Sequence, residues 1–477
     1  MGSASRLAWC AALLLAVGAP RSAAAQAPPA TTTPANPGNA PKAFEGPPPK
    51  PDEARGLESR ATSPTDIGLF VPRLVLFPVK LATQLVFFPI RHTMRFVQRH
   101  AVLERLESVF YYNGHKGERT IGVMPTFQFI SAYGPSVGVT AVHNDMGGNG
   151  EKGELSAQFG GLVNQAYEAS LSADRVAGSR MYVSSVVRYD IRPRLLFQGI
   201  GDDGDPSLNG PLLDPRAAAV RTRFQQDRLL LAERAGYTIG GPGNLVKIGG
   251  AAIFNHRTFD KNPPSEIPSI EAVYDTTKLV GFEHGTTTAE LDATLVVDTR
   301  DDEGQTSSGV YVDAFLGGVP PVRQYHYVHY GVDAAGFIDL YKHDRVLVVR
   351  GEIEAVEGKY EDIPFSDLPR LGGPTRLRGY RLDRFRDKKS ALATLEYQYP
   401  IHQMVGGAVF VDAGHVGSNY DQLVDLKRWR AGVGAGIRVR SKASMVFSFD
   451  VAYGDDGVLV FFTTTPLRAF ANRERQL

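Results

Sequence analysis

The sequence predicts an all-β fold, a transmembrane antiparallel β-barrel of about sixteen strands. Three observations carry that expectation. From residue 119 almost to the end, apolar and polar residues alternate with a period of two. Glycine and aromatic residues are both abundant, at 50 Gly, 25 Phe and 19 Tyr, a mix typical of barrels and strand repeats. Mean hydropathy is −0.17, too low for a bundle of membrane helices but compatible with strands that are apolar on one face only.

Residues 1–25 read as a secretory signal peptide. Arg6 precedes the apolar run Leu7–Val17, and Ala23–Ala25 supply small residues for cleavage. Cys10, the one cysteine, lies in that run, so the exported chain has no thiol for disulfides, thiol catalysis or thiolate metal ligation. Residues 26–65 contain ten prolines among Thr, Asn, Gly and Lys, a composition that predicts a disordered linker. Residues 66–118 predict a short amphipathic helical segment before the barrel. The piece from Phe70 to Arg91 has the length of a bilayer-spanning helix, ~20 residues. Pro72, Pro78 and Pro89 would interrupt such a helix, however, and Arg73, Lys80 and Gln84 would be costly at the bilayer centre. Two placements stay open for it: at a membrane interface or barrel mouth, or as a cap packed on its own domain.

Residues 119–470 predict the barrel. In Glu154–Gly160, the residues Leu155, Ala157 and Phe159 alternate with Glu154, Ser156 and Gln158. Tyr167–Asp174 repeats the pattern, and so do the windows around 347–355, 393–399, 433–440 and 447–454. A soluble sandwich would also alternate. Polar faces bearing charges of both signs with Ser and Gly suit a wet or plugged lumen, however, and apolar faces ending in Tyr and Phe suit an aromatic girdle, to which Tyr325–Tyr330 would contribute. Two connections, at about 191–217 and 358–388, exceed the usual length and are expected to be functional.

The second long connection holds Leu371–Arg386, a cationic tongue with glycines at tight turns. Glu396 lies on the polar face of the next strand, and Asp412 follows about one hairpin later, in Val409–Gly414. If the loop folds into the lumen, an arginine at its tip meets two carboxylates whose desolvation it offsets. Such a charge-assisted cluster would hold the loop in one place.

In these residues the sequence resembles the bacterial surface antigen superfamily, the BamA–TamA group of outer-membrane assembly-factor barrels. Leu377-Arg378-Gly379-Tyr380 is similar to the family's Arg-Gly-aromatic motif at the tip of an inward-folded sixth extracellular loop. Glu396 and Asp412-Ala413-Gly414 stand where the family has lumen carboxylates that bind the loop arginine. Val297–Asp302, containing Asp298 and Arg300 and followed by Gly309, resembles its strand–turn–strand signature, and Phe197–Asp202 its glycine turn. Gly432–Arg438, with Gly434 and Gly436, and Phe449–Gly454 resemble its closing strands. The resemblance implies residence in the cell outer membrane, surrounded by outer-membrane lipid. It also implies work in protein insertion, translocation or barrel assembly on a β-barrel or translocated protein client. Residues 26–118 leave no room for the POTRA modules of better-known members, which places the chain in a branch without them. The alternative function is a passive or gated channel with a loop-plugged lumen.

No catalytic centre, cofactor or metal is expected, and the chain is read as no enzyme. No hydrolase nucleophile elbow is expected. Gly432–Gly436 has glycines spaced by two within an alternating strand, which does not open a nucleotide-binding helix. His326 and His329 fall on opposite faces of a strand, and Asp202, Asp203 and Asp205 lack the ligand spacing of a Ca²⁺ loop. With Lys+Arg 52 against Asp+Glu 51 the net charge is +1, which argues against a nucleic-acid partner and suits opposite charges paired inside a lumen.

Overall fold

The computed structural model describes His92, residues 109–113 and residues 119–463, apart from 202–211, 215–219, 242–243, 262–265, 303–305, 322–323, 342, 403–404 and 441–444. The expected signal peptide, linker and most of the helical segment, and with them the question of POTRA modules, lie outside the described residues. So do 464–470 and Asp202, Asp203 and Asp205.

Sixteen strands form one closed sheet. They are β1 (Arg119–Ile130), β2 (Gly134–His143), β3 (Lys152–Gly160), β4 (Val163–Ala173), β5 (Met181–Phe197), β6 (Thr222–Gly241), β7 (Asn244–Lys261) and β8 (Thr286–Asp298). The second half comprises β9 (Gly309–Val319), β10 (Tyr327–Tyr341), β11 (Arg345–Glu357), β12 (Lys389–His402), β13 (Val405–Gly417), β14 (Arg430–Arg440), β15 (Met445–Gly454) and β16 (Gly457–Thr463). Each strand pairs antiparallel with the next in chain order, and β16 returns to β1. Closure removes free sheet edges, which is what lets strands cross hydrocarbon with their backbone groups satisfied.

Alternation sorts the side chains as the sequence predicts, with the apolar face outward. Leu155, Tyr167, Ile248, Leu291, Leu316, Val349, Leu395, Val433 and Val458 are exposed, whereas Asp190, Arg228, Glu290, His329, Arg350, Glu396 and Asp412 are buried inside. This inversion of a soluble protein is the signature of a lipid-facing barrel with a charged interior. No helix among the described residues is long and apolar enough to cross a membrane.

Connections that follow odd-numbered strands gather at one end, the loop end; those that follow even-numbered strands form the turn end. The two long connections expected from the sequence are both at the loop end, but the first starts later than expected because β5 runs on to Phe197. A third long connection, 262–285, was not foreseen; it contains the turns Ile270–Ala272 and Thr276–Lys278. Its Ile270, Tyr274, Leu279 and Phe282 pack with Phe197, Phe224, Phe259 and Phe365 into an aromatic cluster. Fully burying each such ring contributes about 1.5–3 kcal/mol, enough to give the mouth a core of its own. The girdle role expected for Tyr325–Tyr330 is corrected in part. Tyr325 and Tyr327 are buried, and the Tyr327 hydroxyl donates to Asp367 Oδ2 at 2.8 Å. A phenol with a carboxylate partner on the inside is better placed there than in lipid.

Candidate functional site: a loop locked in the lumen beside the β1–β16 seam

The connection between β11 and β12, residues 358–388, folds inward. A two-residue ribbon, Arg370–Leu371 against Phe385–Arg386, forms its neck. Its small core of Leu371, Leu377, Tyr380 and Phe385 packs on Leu392 of β12 and Val416 of β13. Leu377 has a left-handed φ of 59° and is fully buried, so the tip is a tight reversal held by packing.

Arg378 sits at that tip, between two walls. Its Nε donates to Asp412 Oδ2 at 2.8 Å and its Nη2 to Asp412 Oδ1 at 2.9 Å, a two-pronged grip; its Nη1 donates to Glu396 Oε2 at 2.8 Å. The backbone N–H of Arg378 also donates to Asp412 Oδ2, at 3.0 Å. The guanidinium lies 3.3 Å from the centroid of the Phe410 ring. Thr394 Oγ1 donates to Asp412 and Gln398 Nε2 to Glu396, so both carboxylates are further satisfied. Burial alone would pull Arg378 down, but the bonds and charges of Asp412 and Glu396 outweigh it and hold the guanidinium above its usual range.

Gly379 is where the loop backbone touches the barrel wall. A Cβ there would lie 2.7 Å from Gly432 Cα and 2.9 Å from the Tyr453 carbonyl, so two glycines allow backbone to meet backbone. Tyr380 then donates to Asp455 Oδ2 at 2.9 Å, and Arg381 donates its backbone N–H to Asp456 Oδ2 at 3.0 Å. Burial, then the bond and charge of Asp455, push the Tyr380 hydroxyl up to about 12. The loop thus grips β12, β13, β14 and the β15–β16 turn.

The seam is the second feature. Among the described residues, β16 and β1 share the register pairs Phe461 with Ile130, Phe462 with Phe129 and Thr463 with Gln128. Ser131, just past β1, adds its backbone N–H and hydroxyl to the Val460 carbonyl and accepts from the Val460 N–H. At the other end of β1, the chain segment Tyr111–Asn113 pairs with Gly122, Ile121 and Arg119. This segment was expected to be helical; it is extended because its edge of β1 offers an unpaired ladder. Between these two attachments, Val123–Phe127 have no second strand among the described residues, and Pro125 within them carries no N–H to donate.

Residues 253–461 match the family model of the Omp85 superfamily domain. This stretch is similar to an Omp85 domain. The match runs from β7 to β16, so it takes in the docked loop, both carboxylates and one side of the seam. It agrees with the family resemblance read from the sequence. BamA from Haemophilus ducreyi lacking POTRA domains 1–3 is similar in structure, with a TM-score of 0.51 and 14% identity over 75% of this chain and 76% of that one. CdiB from Escherichia coli (TM-score 0.48, 11% identity, 72% of this chain and 62% of that one) and from Acinetobacter baumannii (0.46, 11%, 72% and 59%) are more distant. The chain thus spans about three fifths of the CdiB chains. No curated protein matches it by sequence.

Within this stretch the motif residues divide into two groups. Leu377, Arg378, Gly379, Tyr380, Glu396, Asp412 and the glycines of β13 and β14 come together. Gly434 stands opposite Phe410 in register and leaves room for its ring, Gly436 stands opposite Asp450, and Gly414 stands opposite Leu392. Asp298, Arg300 and Gly309 are instead at the turn end. Asp298 grips Arg300 at 2.7 and 2.9 Å beneath the Tyr311 ring, and Gly309 adopts φ +115° in the following turn. The glycine turn after Phe197 does reach the loop: Gly201 donates its backbone N–H to the Arg386 carbonyl at 2.8 Å.

Sequence reasoning missed a second anchor. Arg376 pairs with Glu352 at 2.7 Å and Glu354 at 3.0 Å, and Glu354 in turn meets His329, whose other ring nitrogen meets Glu290. The signal was present, since Arg350, Glu352 and Glu354 share one polar face of β11. The sequence also holds one G-x-S-x-G string, Gly134–Gly138, where no nucleophile elbow was expected. Ser136 lies within β2, a strand paired on both sides, and accepts from Gln158 Nε2 at 2.9 Å. An elbow needs a strand-to-helix turn, so this serine is a wall residue.

Proposed function

We propose that this chain inserts or translocates polypeptide clients at an outer membrane. The barrel parts along the β1–β16 seam while the 358–388 loop stays docked. The match of residues 253–461 to the Omp85 superfamily domain carries the reading, in a barrel whose first and last strands meet at one seam. At ~0.2–1 kcal/mol per cross-strand pair, the three described seam pairs contribute about 0.6–3 kcal/mol. Once the seam parts, the β1 edge is one on which an extended client strand can add itself. Arg378, Glu396 and Asp412 act as positioning residues, holding the loop on β12 and β13 so that strands move at the seam and nowhere else. In this reading the chain reaches β1 from the periplasmic side, so the loop end is extracellular.

The test is reconstitution. Liposomes containing the protein should accelerate the folding of an added unfolded outer-membrane barrel well beyond empty liposomes. Ion conductance without any such acceleration would replace this reading with the gated channel, to which the loop-filled lumen is also suited.

A further inference from the structure

The segment Tyr111–Asn113 occupies part of the edge that the proposed function needs. It lies on β1 at Arg119, Ile121 and Gly122, beyond the described β16 pairs at Gln128–Ile130. The Tyr111 ring rests directly over Gly122, where a Cβ would come within 2.8 Å of it, so the lack of a side chain at 122 makes room for the ring. Among the described residues three register pairs hold the segment on β1, which makes it removable where a barrel strand is not. Tyr112 is more than half exposed, so nothing among the described residues buries the segment from the outside. We propose that Tyr111–Asn113 is a built-in clasp on the seam, a short strand of the chain itself that competes with an incoming strand for the β1 edge and must leave before the edge is fully available. This rests on the seam reading of function and adds its regulation. At the strength of ordinary cross-strand pairs, three of them hold the edge closed by a factor of about three to a hundred, consistent with a clasp that opens in use and recloses afterwards.

Tyr112 and Ile121 face each other in register, and the Cα spacing of an antiparallel pair, ~4.5–5.5 Å, is within disulfide range. In a chain with Cys10→Ser, the pair Tyr112→Cys and Ile121→Cys locks the clasp under oxidation and frees it under reduction. Tyr112→Pro, which removes a ladder donor and disfavours pairing, holds the clasp open. Two readouts are taken on the same proteoliposome-grade protein: folding of an added barrel client, and ion conductance in a planar bilayer. The expected result is at least a severalfold drop in client folding and in open-state conductance for the oxidised lock. Reduction should restore both, and Tyr112→Pro should exceed the wild type in both. Equal conductance for locked, reduced and proline forms overturns the clasp, whatever the folding assay gives. A conductance response to the lock with no client acceleration by any form leaves the clasp as a channel gate and overturns the insertion reading instead.

Discussion

Replacing Arg378 with alanine strips the loop tip of three side-chain hydrogen bonds, two to Asp412 and one to Glu396, and of its contact with the Phe410 ring. Both carboxylates stay buried. Asp412 keeps Thr394 and the backbone N–H of residue 378, while Glu396 keeps Gln398, with Arg438 at 3.9 Å. Removing one partner of a buried ion pair costs ~3–5 kcal/mol. Because these donors remain, the lower end applies, about 3 kcal/mol, or roughly a hundredfold in the docked-to-undocked ratio of the loop. Hydrogen exchange reads this at the amides of Gly372, Gly373 and Tyr380, which bond within the loop to the carbonyls of Arg376, Tyr380 and Leu377. They should exchange about a hundredfold faster in the variant, with strand amides of β6 and β7 unchanged. Limited trypsin digestion of the folded barrel should newly cut between Arg370 and Arg386. Arg378→Lys keeps the charge but loses the two-pronged geometry, so it should fall between wild type and alanine. Wild-type exchange and trypsin resistance in Arg378→Ala would show that the loop is held by its apolar core alone, refuting the ionic lock.

Gly379→Val should undock the tip as strongly as Arg378→Ala, because its side chain meets Gly432 and the Tyr453 carbonyl, both backbone; the same exchange experiment checks it. Tyr380→Phe loses the hydroxyl bond to Asp455 and should cost about 1 kcal/mol, seen as a small fall in the temperature at which the barrel loses heat-modifiable migration. Glu352→Gln with Glu354→Gln leaves Arg376 without its two carboxylate partners. That should loosen the loop near Thr375 without affecting protection of the Tyr380 amide, which bonds to the Leu377 carbonyl; exchange resolved by residue would detect it.

The fold was legible because a barrel writes itself into the sequence as alternation. Leu155, Ala157 and Phe159 against Glu154, Ser156 and Gln158 fix which face meets lipid, whatever strands lie beside them. The lock was legible in part. Arg378, Glu396 and Asp412 are close in the chain, and a loop between neighbouring strands can reach only the nearby wall. Arg376 with Glu352 and Glu354 was equally near but was read only as a strand face, since alternation says nothing about what sits in the lumen. Asp455 and Asp456 were hidden in a two-residue turn, and their meeting with Tyr380 and Arg381 spans 75 residues. Tyr111–Asn113 was misread as part of the helical segment because three residues show no period. Its extended form is imposed by the open edge of β1 rather than by its own propensity. Asp298, Arg300 and Gly309, read as a strand–turn–strand signature, lie in and beside the β8–β9 connection at the turn end of the barrel.

The central claim is that work on a client requires the seam to part. Phe129 and Phe462 face each other across it, so a Phe129→Cys, Phe462→Cys pair on a Cys10→Ser background joins β1 to β16 when oxidised. The most direct measurement is the rate at which liposomes carrying this variant fold an added barrel client, before and after reduction. The oxidised form should fold the client no faster than empty liposomes do, and reduction should restore the wild-type rate. Wild-type folding rates with the disulfide fully formed would contradict it.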